Sequence, residues 1–194
     1  MDSVSIRLLA ASDFDQAAGL VGLAWQRNEA AIVAACEAIV GAIERGGKLI
    51  ACGNGGSAAD AQHFVAELVG KYLLTRRALP ALALTTNTSL LTAIGNDLSF
   101  EDTFARQLDA LARRGDVVVC ISTSGSSPNV VLAARRAHEL GATVVALTGA
   151  RGQRLIDAAD VAIVVPSDST PRIQELHGLV IHAICHAVES ALAG

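Results

Sequence analysis

Apolar positions along the chain follow two periods in turn. Across residues 12–45, Leu20, Leu23 and Ala24, then Ile32, Val33, Cys36, Ile39, Val40 and Ile43, recur at intervals of three and four, the spacing of amphipathic helix. The polar pair Arg27-Asn28 interrupts the stripe and predicts two helices, ended by Gly46-Gly47. The pattern then changes. Short unbroken apolar runs at residues 48–52, 80–84, 116–121, 143–147 and 161–165 predict five strands. Helical spacing separates them at residues 57–72, 89–104, 128–140 and 153–158, and closes the chain at 171–192. The second of these is interrupted at Gly95-Asn96-Asp97. Strands apolar at every position, alternating with helices, predict an α/β fold with a parallel sheet covered on both faces. No internal repeat or low-complexity linker divides the chain. The reading is a single domain over residues 1–194, with residues 1–46 as a helical extension that packs on another element or another copy of the chain.

Composition adds an oligomer to this picture. The hydrophobic fraction is 52% and the mean hydropathy +0.44, yet no apolar run reaches the ~18 residues that a membrane span needs. The surplus fits helix faces buried between subunits. Aromatic residues make up only 3%, so Ala, Leu, Val and Ile fill the core and permit close helix–sheet packing. A net charge of −4 argues against nucleic acid as a partner. Arg76-Arg77, Arg113-Arg114 and Arg135-Arg136 read as isolated solvated pairs. The amino terminus lacks a cationic segment followed by a long apolar run, so no secretory signal is expected. Cys36, Cys52, Cys120 and Cys185 form no C-x-x-C pair and suit free thiols in a reducing cytoplasm.

Chemistry concentrates at two strand-to-helix turns. Cys52-Gly53-Asn54-Gly55-Gly56-Ser57 and Ile121-Ser122-Thr123-Ser124-Gly125-Ser126-Ser127 are rich in glycine and hydroxyl groups. Such turns fall at the carboxyl ends of strands, where helix amides and dipoles favour an anion. Neither has the Gly-Lys-Ser/Thr of a Walker loop or the G-x-G-x-x-G of a dinucleotide fold. Ser57 and Ser127 as plain helix caps are the alternative. Their pairing suggests one phosphorylated ligand held from two sides. His63 and Glu67 lie four residues apart on the helix that leaves the first turn, hence on one face. They suit a metal, a proton-transfer pair, or a simple exposed polar pair. On the closing helix Gln174, Gly178 and His182 share a ridge, while Ile173, Leu176, Val180, Ile184 and Ala187 form the apolar stripe. His177, His186 and Glu175 are alternatives there that periodicity does not rank. His138 reads as a surface residue compensating a helix dipole.

Several segments in sequence carry a specific likeness. Gly53 to Phe64 (Gly-Asn-Gly-Gly-Ser-Ala-Ala-Asp-Ala-Gln-His-Phe), Gly95-Asn96-Asp97, Ile121-Ser122-Thr123-Ser124-Gly125, Leu147-Thr148-Gly149 and Arg172-Ile173-Gln174-Glu175 together resemble the sugar isomerase (SIS) family. The likeness covers nearly the whole chain. It implies a flavodoxin-like three-layer sandwich with a five-stranded parallel sheet, and a homotetramer with sites at subunit interfaces. It implies aldose–ketose isomerisation of sedoheptulose 7-phosphate through an enediol, the first step of ADP/GDP-heptose biosynthesis. Substrate contacts are implied for Asn54, Gly55, Gly56, Ser57, Glu67, Asn96, Asp97, Ser122, Thr123, Ser124, Ser127 and Gln174. Glu67 and His182 are implied as base and acid, and His63, Glu67, Gln174 and His182 as ligands of one zinc per subunit. Ser126 and Lys71 depart from the family's common asparagine and arginine. The rivals are an isomerase or sensor for another phosphosugar, with the fold kept, and a non-enzymatic branch that binds the replication initiator DnaA. That branch lacks the glutamate and closing-helix histidine that this chain carries.

Overall fold

The computed structural model describes residues 2–193. Five strands lie in one parallel sheet: β1 (Leu49–Gly53), β2 (Ala81–Ala83), β3 (Val117–Ser122), β4 (Thr143–Gly149) and β5 (Val161–Val165), in the order β2-β1-β3-β4-β5. This is the flavodoxin-like order, and the direction in which successive strands are added to the sheet reverses between β1 and β3. Cys52 pairs with Cys120 there, and Gly53 with Ile121. Every residue of β1 and β3 is buried, which explains their unbroken apolar sequence. Asp116 stitches the two strands at their starts. Its carboxylate accepts from the Lys48 and Arg113 amides at 3.0 and 2.8 Å and pairs with Lys48 Nζ at 2.6 Å.

Helices α1 (Ser3–Glu44), α2 (Gly56–Val69) and α7 (Thr170–Leu192) cover one face of the sheet. Ile39, Phe64, Leu68, Ile181 and Ile184 pack there on Leu49, Val119, Ile121 and Leu147. Helices α3 (Thr88–Asp97), α4 (Ala105–Leu111), α5 (Pro128–Glu139) and α6 (Gln153–Ile156) lie on the other side. There Leu108, Val130, Ala134 and Leu155 meet Ile50, Val118, Cys120 and Ala146. The three layers and all five strands agree with the sequence reading.

Three details differ. α1 is one helix of 42 residues, not two. Asn28 does not break it but lies buried on its inner face. Its amide donates to the Ala24 and Val164 carbonyls at 2.8 and 2.9 Å, and its oxygen accepts from the Val164 amide at 2.7 Å. A polar residue that looks like an interruption thus docks the helix on β5. α3 runs through Gly95-Asn96 and ends at Asp97; a 3₁₀ turn, Phe100–Asp102, and α4 follow. α2 stops at Val69, because the Tyr72 amide turns away to the Glu189 carboxylate at 2.9 Å.

Candidate active site

Both glycine–hydroxyl turns sit at the switch point, at the carboxyl ends of β1 and β3. With the start of α7 they enclose a cleft of about 280 Å³ lined by Asn54, Gly55, Ser57, Ser122, Thr123, Ser124, Ser127, Thr170 and Gln174. The amino ends of α2, α5 and α7 all open on it. None of these helices has a side-chain cap, and α5 and α7 each carry Pro in the first turn. Ser57 and Ser127 are therefore not capping. Ser127 Oγ instead lies 3.2 Å from Ser122 Oγ, and Ser126 donates to Ser124 Oγ at 2.9 Å. Free helix amides and clustered hydroxyls suit a phosphate dianion without burying a cation.

The two turns are locked to each other. Asn54 and Asn129 exchange amide hydrogen bonds at 2.8 and 2.9 Å, with Asn129 buried. Sequence reading passed over Asn129; its position just inside a helix start, after Ser127-Pro128, was the available signal. Gly125 holds the second turn with φ +59°, and a Cβ there would lie 2.3 Å from the Gly152 Cα. We expect Gly125→Ala to destabilise the fold by about 3 kcal/mol, combining a left-handed backbone with an immovable clash. That is a fall of roughly 6–12 °C in Tm for a chain of this size, readable by calorimetry; an unchanged Tm would refute it. At the first turn, a Cβ on Gly56 would lie 2.2 Å from Gln174 Nε2, so the glutamine amide packs directly on bare backbone.

Farther along α2 the sequence-picked polar pair meets the closing helix. His63 Nε2 lies 3.3 Å from Glu67 Oε1 and 3.2 Å from His182 Nε2. The two imidazoles meet edge to face, with centroids 4.9 Å apart. One ligand atom from each of the three residues lies within 4.8 Å of the others. His182 is thereby selected from the histidines of α7. His177 is wholly buried, with neither ring nitrogen hydrogen-bonded, and Glu175 pairs with Arg172 at 2.6 Å. The Tyr72 ring, absent from the sequence reading, lies 5.6 Å from His182 and 6.1 Å from His186. Asp60, one turn before His63, is half-buried with an unpartnered oxygen. Burial pushes its carboxyl above the usual range and His63 partly opposes this.

Two imidazoles and a carboxylate are donors that zinc takes. The chemistry of the trio fits that metal. Gln174 lies nearer the cradle, against Gly56. Asn96 and Asp97 are not among the residues lining the cleft. They are exposed at the end of α3, where Asn96 Nδ2 donates to Asp97 Oδ1 at 2.7 Å.

A glycine–hydroxyl cleft at a switch point, with two imidazoles and a carboxylate on the adjoining helices, marks an α/β domain suited to a phosphorylated ligand. The SIS domain model matches residues 14–149, and the chain belongs to that family. It is similar to the phosphoheptose isomerase of Geotalea daltonii, 55% identical over 163 residues that cover 84% of this chain and 85% of that protein. Among solved structures, the phosphoheptose isomerase of Neisseria gonorrhoeae superposes with a TM-score of 0.90 at 44% identity, covering 95% of this chain and 99% of that one. The phosphoheptose isomerase of Francisella tularensis gives 0.92 at 36% identity, over 98% and 100%.

Proposed function

We propose that this chain interconverts sedoheptulose 7-phosphate and D-glycero-D-manno-heptose 7-phosphate, upstream of nucleotide-activated heptose. One observation carries the reading: Glu67, His63 and His182 meet on the helices α2 and α7 whose amino ends open on the hydroxyl cradle. Its phosphate held by Ser122, Thr123, Ser124, Ser127 and the α5 amides, an opened sugar would lay its carbonyl end toward α2. Glu67 removes the proton from the hydroxyl-bearing carbon next to the carbonyl. That C–H pair becomes the C=C bond of the enediol as the carbonyl oxygen takes a proton. His182 shuttles the proton between the two oxygens, and Glu67 returns its own to the neighbouring carbon. No electrons enter or leave.

Zinc held by His63, Glu67 and His182, with Gln174 as a fourth ligand, would polarise the carbonyl and its neighbouring hydroxyl. We place the active form in a homotetramer. Trp25, Val33 and Leu179 are about half exposed, at 49%, 47% and 46%. They lie on the α1–α7 side of the molecule, where Trp25 and Val33 line one apolar groove and Trp25 and Leu179 another. Such faces suit burial between copies. The projecting first turns of α1 and the Asn96–Asp97 pair would then be supplied to neighbouring subunits. The partners are the sugar phosphate and other copies of the chain; a net charge of −4 works against nucleic acid. Among the described residues no helix is long and apolar enough to cross a membrane. The free thiols, with Cys52 and Cys120 Sγ at 3.8 Å, suit the reducing cytoplasm.

The test is turnover of sedoheptulose 7-phosphate followed by NMR, with and without a chelator and added zinc. We expect the aldose 7-phosphate to form, the rate to fall at least tenfold with chelator, and zinc to restore it. A folded, metal-replete protein that converts none of the ketose would sink the reading.

A further inference from the structure

We infer that the buried Arg76–Glu189 ion pair is a positioning device for the acid–base trio, fixing the backbone of Glu67 and the ring of Tyr72. The inference rests on the reading of Glu67 as the base. It begins with the end of α2, whose last carbonyls have no partners within the helix. Arg76 supplies them from the following segment. Its Nη2 donates to the Glu67 carbonyl at 2.8 Å, and its Nη1 to those of Leu68 and Gly70 at 2.8 and 3.3 Å.

Glu189 stands on α7, two turns beyond His182. Its carboxylate accepts from three successive amides, Tyr72 at 2.9 Å, Leu73 at 2.6 Å and Leu74 at 2.8 Å. Arg76 Nε lies 3.1 Å from Glu189 Oε1, and the two side chains are 2% and 1% exposed. One pair thus ties together the backbone of Glu67, the helix bearing His182, and the segment that sets Tyr72 beside the His182 ring.

A plain stabilising role explains this poorly. Desolvating two charges consumes most of their attraction, and packed apolar groups of the same volume serve stability as well or better. An apolar pair, however, makes no directional bonds to the Glu67 carbonyl or the Tyr72 amide. Displacements of about 1 Å in a reacting group are enough to cost about 100-fold in rate. The fork of Arg76 is specific too: a lysine keeps the charge but cannot span the same carbonyls in one fixed plane.

The test compares Arg76→Lys and Glu189→Gln with the native chain. It measures kcat and KM on sedoheptulose 7-phosphate, together with cobalt(II) affinity at the trio from its visible absorption. Supporting groups around a metal-binding cluster typically change rate or metal affinity by about 10–100-fold. We expect kcat to fall in that range in both variants with KM within about twofold, because the cradle lies elsewhere, and cobalt(II) to bind about tenfold more weakly. Either folded variant with native kcat and native cobalt(II) affinity overturns the inference, as does a rise in KM at unchanged kcat. If Arg76→Lys fails to fold, Glu189→Gln decides. Loss of folding in both assigns the pair to the fold as a whole and also overturns it. Should the native chain show no turnover, the isomerase reading fails, and the cobalt(II) titration still reports whether the pair positions the trio.

Discussion

Replacing Glu67 by Gln is expected to lower kcat by about a thousandfold while leaving KM within a few-fold and the fold intact. The substitution keeps size and shape and removes only the ability to take a proton. A positioned general base is worth about 10²–10⁴ in rate. Stability gives little away, because the side chain is 24% exposed and its 3.3 Å partner His63 is 40% exposed, a setting in which an ion pair contributes about 0–1 kcal/mol. KM is spared because the hydroxyls proposed to hold the phosphate belong to β3 and the following turn, not to the middle of α2. Reading kcat, KM and Tm on one preparation separates the possible causes. A variant within tenfold of native kcat would remove Glu67 as the base. A large rise in KM instead would make it a binding residue. His182→Gln should lose rate in the same way, since its Nε2 meets His63 at 3.2 Å in the same cluster.

How far the sequence alone reaches depends on the range of the interactions involved. The strands were legible because each is buried on both faces, so burial itself writes an unbroken apolar run. The two glycine–hydroxyl turns were legible because close backbone approach demands glycine, a local requirement, and because each falls where an apolar run gives way to helical spacing. The His63–Glu67 face followed from helical spacing. What failed was non-local. Asn28 reads as a break in α1 because its partner, the backbone of Val164, is 136 residues away. α4 was missed because seven residues are too few to display a period, and its formation rests on packing against α5. Periodicity could not choose among the histidines of α7. That choice is made by how α7 lies on α2, which brings residues 63 and 182 together across the sheet face. Asn96 and Asp97 came only from family likeness, and a single chain leaves them outside the cleft.

Acidification from pH 7 to pH 5 is expected to cost the native fold about 2 kcal/mol through His177 alone. This histidine lies on the core-facing side of α7, fully buried. Burial drives its pKa down from 6.5 to about 4. The folded state therefore holds a neutral ring while the unfolded chain takes up a proton below 6.5. Between those two values the unfolded state binds more protons, so stability falls as pH falls. One pKa unit is worth about 1.4 kcal/mol, which gives the figure at pH 5 and about 3 kcal/mol by pH 4. Glu189 acts in a different window. Burial raises its pKa, but the amides of Leu73, Tyr72 and Leu74 and the Arg76 charge outweigh this and hold it below 4.5. Its contribution is intact above 4.5 and is lost only as pH drops through its folded value. Asp60, whose carboxyl burial pushes up, acts in the opposite sense. It is therefore the difference in urea midpoints between native and His177→Leu at pH 7 and pH 5 that isolates the histidine. His177→Leu, filling the same buried site without a titrating ring, should flatten the change by about 2 kcal/mol. Equal slopes in native and variant would show that the ring titrates alike in the folded and unfolded chain, against the geometry of its site.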